Sequence, residues 1–460
     1  MKGRCVLTPD ESGRILDRLA ILEKVITPDL IRQVLTETNR FNQRACKLPH
    51  AVMLWVVLAM GILTDLPIRQ VFKHARRLRR GEESPHRSSL CRARQRLGVA
   101  PVQCLFSKVV RPLANLNTPG AFYCGLRRMA IDGTVMDVPD TPANAEAFGR
   151  PSGSRGDGAF PQAHKLSLVE VGTHVETAIQ IGPCTMSEQA MFPGLLPYMT
   201  PDMLLLLDRG FFGYELWESV NSRGIKVLAR VKAGLILRSI QHLDDGSYLA
   251  KIYPSDYDRK KDRKGIVVRV IRYKLDDPQR VGNNEEHVLM TNLLDTETFP
   301  AMELIRGYHE RWEHELVFDE QKTHQNPRRA TKPAHLRSET PAGVIQEMYA
   351  LSLAHFVVRA LMFEAAEREG LDPDQLSFTG CFQILKCRLP ECDARTPRSF
   401  QEWCDALLWE ISRERTEPRR NRINPRVIKR KMSKWPKKRS HHCHPPPLTK
   451  TFAQSVVMTN

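Results

Sequence analysis

The stretch YHERWEHELVFDEQK holds four residues that a helix would gather on one side. Tyr308, Arg311, Glu315 and Lys322 follow one another at offsets of 3, 4 and 7. At about 100° per residue they fall within roughly a 60° sector of an α-helix. A carboxylate accompanied by a tyrosine, an arginine and a lysine can hold a metal ion while its neighbours grip phosphate oxygens. Glu310, Glu313 and Glu320 lack that company and read as surface residues. A hard divalent ion for phosphoryl chemistry takes oxygen ligands and needs more than one carboxylate. Asp132 follows the apolar MAI and precedes Gly133, which puts it on a strand. Asp208 closes MLLLL and precedes Arg209 and Gly210, which puts it at the C-terminal end of a strand, where ligands gather in α/β sheets. Taken singly, each aspartate reads equally well as a turn former. Taken with Glu315, they point to metal-dependent chemistry on phosphate.

Nearby polar residues have plainer readings. Asp137 lies at an odd offset from Asp132 and reads as a turn or surface residue facing the other side of the strand. Glu188 is an acid in the first turn of a helix, where the dipole favours it. His164 and Lys165 read as solvated positions of an edge strand. Trp217 and Trp312 read as core.

The elements that must position these groups follow from the hydrophobic pattern. Up to about Leu113 the period is helical, with Pro and Gly between segments. Within it, SSLCRARQRLG sets Arg92, Gln95 and Arg96 on one side of a helix capped by Ser88 or Ser89. A helix-turn-helix-like reader of DNA fits this pattern, and so does a solvated basic face. After FYCGLRR come short β-branched or apolar runs, RMAIDGTVMDVP, HKLSLVEVG and HVETAIQIG, then a helical segment, then DMLLLLDRGFF. Three strands, a helix and a strand open a ribonuclease-H-like α/β fold. The expected organisation is an α-helical N-terminal DNA-binding domain (1–120) and a ribonuclease-H-like catalytic core (121–345) interrupted by an all-β insertion at about 233–287. A helical C-terminal region (346–413) and a basic flexible tail (414–460) complete it.

The bulk composition agrees with this. With 460 residues, 42% hydrophobic, the chain can fill more than one core. A formal net charge of +17 calls for a polyanionic partner, nucleic acid before a membrane surface. The N-terminus shows no apolar leader, and Ala51–Leu63 is shorter than the roughly 20 residues a spanning helix requires, so a cytoplasmic protein with no membrane partner is expected. Eleven cysteines without a Cys-x-x-Cys pair read as reduced thiols. HHCH (His441–His444) reads as a solvated tract rather than a metal site.

Tyr308, Arg311, Glu315 and Lys322 match the Y-x2-R-x3-E-x6-K signature of bacterial insertion-sequence transposases of the type-four DDE class, which the chain therefore resembles. The likeness extends through IDGTVMDVPDTPANAEAFG, FPQAHKLSLVEVGTH, LLLLDRGFFGYELW, RVK and TNLL, and covers about Ile31 to Lys322. It implies cut-and-paste DNA transposition. Asp132, Asp208 and Glu315 would be the catalytic metal ligands for two ions, Mg²⁺ or Mn²⁺, about 4 Å apart. Tyr308, Arg311 and Lys322 would hold phosphates of the transposon end, with Arg92 and Arg96 as further DNA contacts. The partners implied are double-stranded DNA, as terminal inverted repeats and target, and a second copy of the chain in a homodimeric complex at the bacterial nucleoid. A catalytically silent regulator and a structure-selective nuclease on the same fold are the alternatives.

Overall fold

The computed structural model describes residues 17–42, 46–75, 83–153, 156–277, 285–309, 313–327, 334–392, 396–416 and 449–458. Five helices come first: α1 (Pro28–Glu37), α2 (His50–Ile62), α3 (Ile68–Ala75), α4 (Arg87–Leu97) and α5 (Ala100–Val109). Strand β1 (Phe122–Tyr123) leads into β2 (Leu126–Asp137), α6 (Pro142–Phe148), the small pair β3 (Ser152–Gly153) and β4 (Gly156–Asp157), and the hairpin β5 (Gln162–Glu170) and β6 (Val175–Pro183). Next are α7 (Glu188–Met191), β7 (Met203–Leu207), α8 (Tyr214–Asn221), β8 (Lys226–Val231), β9 (Gln241–His242), β10 (Tyr248–Ile252), α9 (Asp256–Lys260), β11 (Ile266–Leu275) and β12 (Glu286–Thr291). The remainder is α10 (Ala301–His309), α11 (Glu313–Asp319), a π-helical turn (Glu320–Gln325), α12 (Pro341–Glu369), α13 (Phe378–Arg388), α14 (Pro397–Arg413), α15 (Phe452–Ser455) and β13 (Val456–Met458). The described cysteines are free thiols.

The chain forms two compact units. The first comprises Met1–Ala121, Asp132–Tyr198 and Glu313–Glu417, and the second Phe122–Ile131, Met199–Trp312 and Pro418–Asn460. The division falls inside β2, between Ile131 and Asp132.

In the first unit α1 to α5 share one hydrophobic core with α12, α13 and α14. Helix α2 is apolar along nearly its whole length, from Val52 to Ile62, and is buried throughout that stretch. Helix α12 opens on a Thr340 cap with Pro341 behind it and closes on Gly370 in the left-handed region. It is long and apolar enough to cross a bilayer, yet 78% of its most apolar stretch is buried inside the protein, which makes it a core helix. The two helices nearly touch at Gly61, where an added Cβ would lie 2.1 Å from the Ala350 carbonyl oxygen. Arg337 donates to the carbonyls of Met60, Leu63 and Leu66, so a cation sits on the last turn of α2, where the dipole favours it. Strand β5 lies between β6 and β2, antiparallel to β6 with an irregularity at Leu168/Val169.

In the second unit β7 runs parallel to the first half of β2, pairing Met203 with Arg127 and Leu206 with Ala130. It also runs parallel to β8, pairing Leu204 with Lys226 and Leu207 with Ala229. A strand flanked this way is covered on both faces, and accordingly all five residues of MLLLL are buried. Strands β12, β11, β10 and β9 continue outward in antiparallel order. The segment expected to be purely β also carries α9.

Two local expectations change. Helix α4 is capped by His86, whose ring accepts from Ser88 N, and not by either serine. Residues 449–458, within the expected flexible tail, are held in place: β13 pairs antiparallel with β11, Lys450 meets Asp276 at 2.6 Å, and the Phe452 ring stacks on His309 at 4.2 Å. The apolar VVM gives the edge of β11 a partner, which a flexible arm would leave open. The basic run 418–439 and His441–His444 lie outside the described residues.

Candidate active site

In the second unit the apolar run of β7 stops at Asp208, half-buried. Its carboxylate accepts from Gly210 N at 2.7 Å and so starts the tight turn Arg209–Phe211. Tyr308, on the buried face of α10, donates its hydroxyl to the Leu207 carbonyl at 3.0 Å. The first residue of the motif is thereby fixed one residue from the strand-end acid. Arg209 is exposed and Arg230, on β8, is half-buried. Burial, joined by the like charge of Arg209, pushes the Arg230 guanidinium below its usual range. Two cations that repel one another near a carboxylate form a place where a phosphate would be welcome. Sequence reading passed over Arg230, whose signal was a lone cation in the otherwise apolar VLARV.

In the first unit Asp132 lies on β2, its carboxylate accepting from Gly133 N at 2.9 Å. Side chains alternate along a strand, so Thr134 shares the face of Asp132 and Gly133 belongs to the other. Lys322 Nζ reaches Thr134 Oγ1 at 3.1 Å, which brings the last residue of the motif to the Asp132 side of β2. On the Gly133 side an added Cβ would meet Glu188 Oε1 at 2.2 Å and His164 Nε2 at 2.7 Å. Glu188 therefore packs behind the strand, away from the Asp132 face. His164 is buried, bonds the Met186 carbonyl at 2.9 Å, and is held above its usual pKa by Glu188 against the opposing effect of burial.

Several polar residues read as solvated are interior. Lys165 is buried against Glu176 at 2.6 Å, and Asp137 is buried with its Oδ1 accepting from Gln162 at 2.8 Å. Glu320 is buried in contact with Arg359, His355 and His174. Each is paired, which is what permits a charged or strongly polar group to leave water. Trp217 is fully buried core.

Glu315 falls on α11, and its side chain is outside the described set, as are Arg311 and Trp312 altogether. Lys322 sits in the π-helical turn, so the single α-helical stripe expected from Tyr308 to Lys322 does not continue to its end. Arg92 and Arg96 are exposed on α4, with Arg92 Nε donating to the Ser88 carbonyl at 3.3 Å. Among the described residues no group of three or more His, Cys, Asp or Glu is arranged to hold a metal ion. The donor chemistry of Asp132 and Asp208 nonetheless suits a hard cation: both are half-buried carboxylates, and Asp208 makes no ion pair among the described residues.

Two family models match the chain. Residues 16–107 match the family described as insertion element 4 transposase N-terminal, and residues 124–357 match the transposase DDE domain. The Escherichia coli K12 transposase InsG for insertion sequence element IS4 is 29% identical over 424 residues, 91% of this chain and 93% of that protein. The putative transposase InsZ of the same organism is 27% identical over 198 residues, 42% of this chain and 64% of that one. Among solved structures, a piggyBac transposase synaptic complex with hairpin DNA aligns with a TM-score of 0.43 and 11% identity, covering 87% of this chain and 86% of its own.

Proposed function

The chain belongs to the insertion element 4 family of DDE transposases, enzymes that cleave and transfer DNA with divalent metal, and we propose that it moves an insertion sequence by cutting at terminal inverted repeats and joining the freed ends to target DNA. Asp132, Asp208 and Glu315 are the carboxylates for two ions, Mg²⁺ or Mn²⁺. Ions held by these carboxylates would supply Lewis acidity toward the phosphodiester and the attacking oxygen. Arg311 and Lys322 hold phosphates of the transposon end; Tyr308, expected to share that role, is buried and gives its one hydroxyl proton to the Leu207 carbonyl, so it positions Asp208 instead, while Arg209 and Arg230 neutralise charge beside that acid. Positioning and charge stabilisation suffice for phosphoryl transfer, so no covalent enzyme intermediate is required. A ribonuclease-H-like core is the fold we assign to this chemistry, supported by the parallel neighbours β2 and β7 with an acid on the first and another directly after the second. Arg92 and Arg96 add phosphate contacts from α4. Pairing two ends calls for a homodimer on DNA, working in the cytoplasm at the nucleoid.

One observation carries the assignment of the site. Tyr308 is tied to Leu207 beside Asp208, and Lys322 to Thr134 on the face of Asp132, so two residues of the motif are each anchored next to one of the strand acids. The test uses purified protein, Mg²⁺ and a plasmid carrying the gene with its native flanking DNA. Cleavage and joining are expected, and Asp208→Asn should abolish both while sparing binding. Cleavage surviving in Asp208→Asn would remove that residue from the site.

A further inference from the structure

A π-helical turn exchanges the i→i+4 ladder for rarer i→i+5 bonds, here Asn326 N to the Gln321 carbonyl at 2.9 Å, so contacts that favour it over an α-helix are informative. The turn Glu320–Gln325 is held on both sides of Lys322. The buried Glu320 carboxylate contacts the Arg359 guanidinium, His355 Nε2 at 2.8 Å and His174 Nδ1 at 3.4 Å. Gln321 accepts from Lys165 Nζ through Oε1 and donates to Glu176 Oε2 at 2.5 Å. Gln325 donates to the carbonyls of Gly61 at 2.9 Å and Leu351 at 3.0 Å, while its own carbonyl accepts from Thr64 Oγ1 at 2.6 Å. Asn326 Nδ2 donates to the His335 carbonyl at 2.9 Å. Four side chains of this short stretch are thus seated in the interior, and Lys322 between them extends the other way, to Thr134.

An i→i+5 turn advances fewer degrees per residue than an α-helix, which carries Lys322 off the stripe that Glu315 would otherwise share with it. We infer that Glu320 and Gln321 are positioning residues: seated on Arg359 and on the Lys165–Glu176 pair, they impose the wider register that aims Lys322 at Thr134, on the Asp132 face of β2. This rests on reading Lys322 as a phosphate-gripping residue. Relaxation of the turn to an α-helix would swing the ammonium away without removing it. Misplacing such a group by about 1 Å costs on the order of 100-fold in rate.

The experiment is a double-mutant cycle on the full-length protein, using the plasmid with native flanking DNA and Mg²⁺. Gln321→Met removes both amide contacts and leaves the Lys165–Glu176 pair whole. Glu320→Asp keeps the buried charge but shortens its reach, and serves as a second variant should the first fold poorly by circular dichroism. Cleavage is expected to fall roughly 10- to 100-fold, and the slope of log binding constant against log salt by about 0.9, the contribution of one neutralised phosphate. Lys322→Ala should do the same, and Gln321→Met/Lys322→Ala should be no worse than Lys322→Ala alone. Independent effects that multiply, or normal cleavage in Gln321→Met and Glu320→Asp, would overturn the inference. If Lys322→Ala itself changes neither cleavage nor slope, the reading of Lys322 fails first and the inference falls with it.

Discussion

Tyr308 and Leu207 are joined by a hydrogen bond of 3.0 Å, and the residue after Leu207 is Asp208. The bond fixes the strand-end acid against α10 without placing a charge in the way of DNA. Tyr308→Phe keeps the ring and its packing but leaves the Leu207 carbonyl without this donor. Stability should fall by about 1 kcal/mol in urea denaturation, the usual worth of such a bond. Cleavage of the flanked plasmid should fall by about tenfold or more. A rate equal to wild type would reduce Tyr308 to a structural role.

Gly133 separates two chemistries on opposite faces of β2. An added Cβ would overlap Glu188 Oε1 and His164 Nε2. Gly133→Ala is expected to cost about 1 to 3 kcal/mol in urea denaturation, as overpacking does. Glu188→Ala in the same chain should recover a good part of that loss by vacating the space. A single Glu188→Ala variant that abolishes cleavage while folding normally would contradict its placement behind the strand.

Acid should weaken the first unit through its buried carboxylates. Burial alone would raise Glu176, but the charges of Lys165 and His355 bring it down to about 2. Glu320 is likewise held well below the usual range, burial being outweighed by Arg359 and by hydrogen bonds from His174 and His355. A carboxyl depressed in the folded state favours folding fully above its unfolded pKa of about 4.3 and loses that contribution as pH falls toward the folded value. For Glu176 the contribution is on the order of 3 kcal/mol, lost between about pH 4.5 and pH 2. Urea denaturation across that window should show the decline, and Glu176→Gln should flatten it while lowering stability at pH 7, since Lys165 then stays buried without its counter-charge.

Arg92 and Arg96 are exposed, so replacing both with alanine should leave thermal unfolding unchanged. The slope of log binding constant against log salt should drop by roughly 2, at about 0.9 for each phosphate that is no longer neutralised. An unchanged slope in filter-binding or fluorescence anisotropy would return α4 to an ordinary solvated face.

Sequence patterning located the strand acids because short apolar runs carry their own signal. MAI before Asp132 and MLLLL before Asp208 read as strands, and Asp132 lies midway along β2 while Asp208 directly follows the end of β7. The helices of the first unit were legible for the same reason. Burial of charge was not. Lys165 lies 156 residues from Gln321, and Glu320 lies 146 residues from His174, so no local period announces those pairings. The π-helical turn follows from them and was equally hidden. A three-residue strand such as VVM is too short for alternation to show, and becomes a strand only because β11 offers an edge.

Helix α12 leaves α2 no way to be satisfied alone. A chain broken off before Pro341 would retain Arg92 and Arg96 but present the flank of α2 around Gly61 bare to water, inviting aggregation before any duplex is met. Premature termination should therefore yield insoluble debris rather than a soluble competitor that occupies transposon ends, and the element gains no dominant-negative brake from its own nonsense mutations.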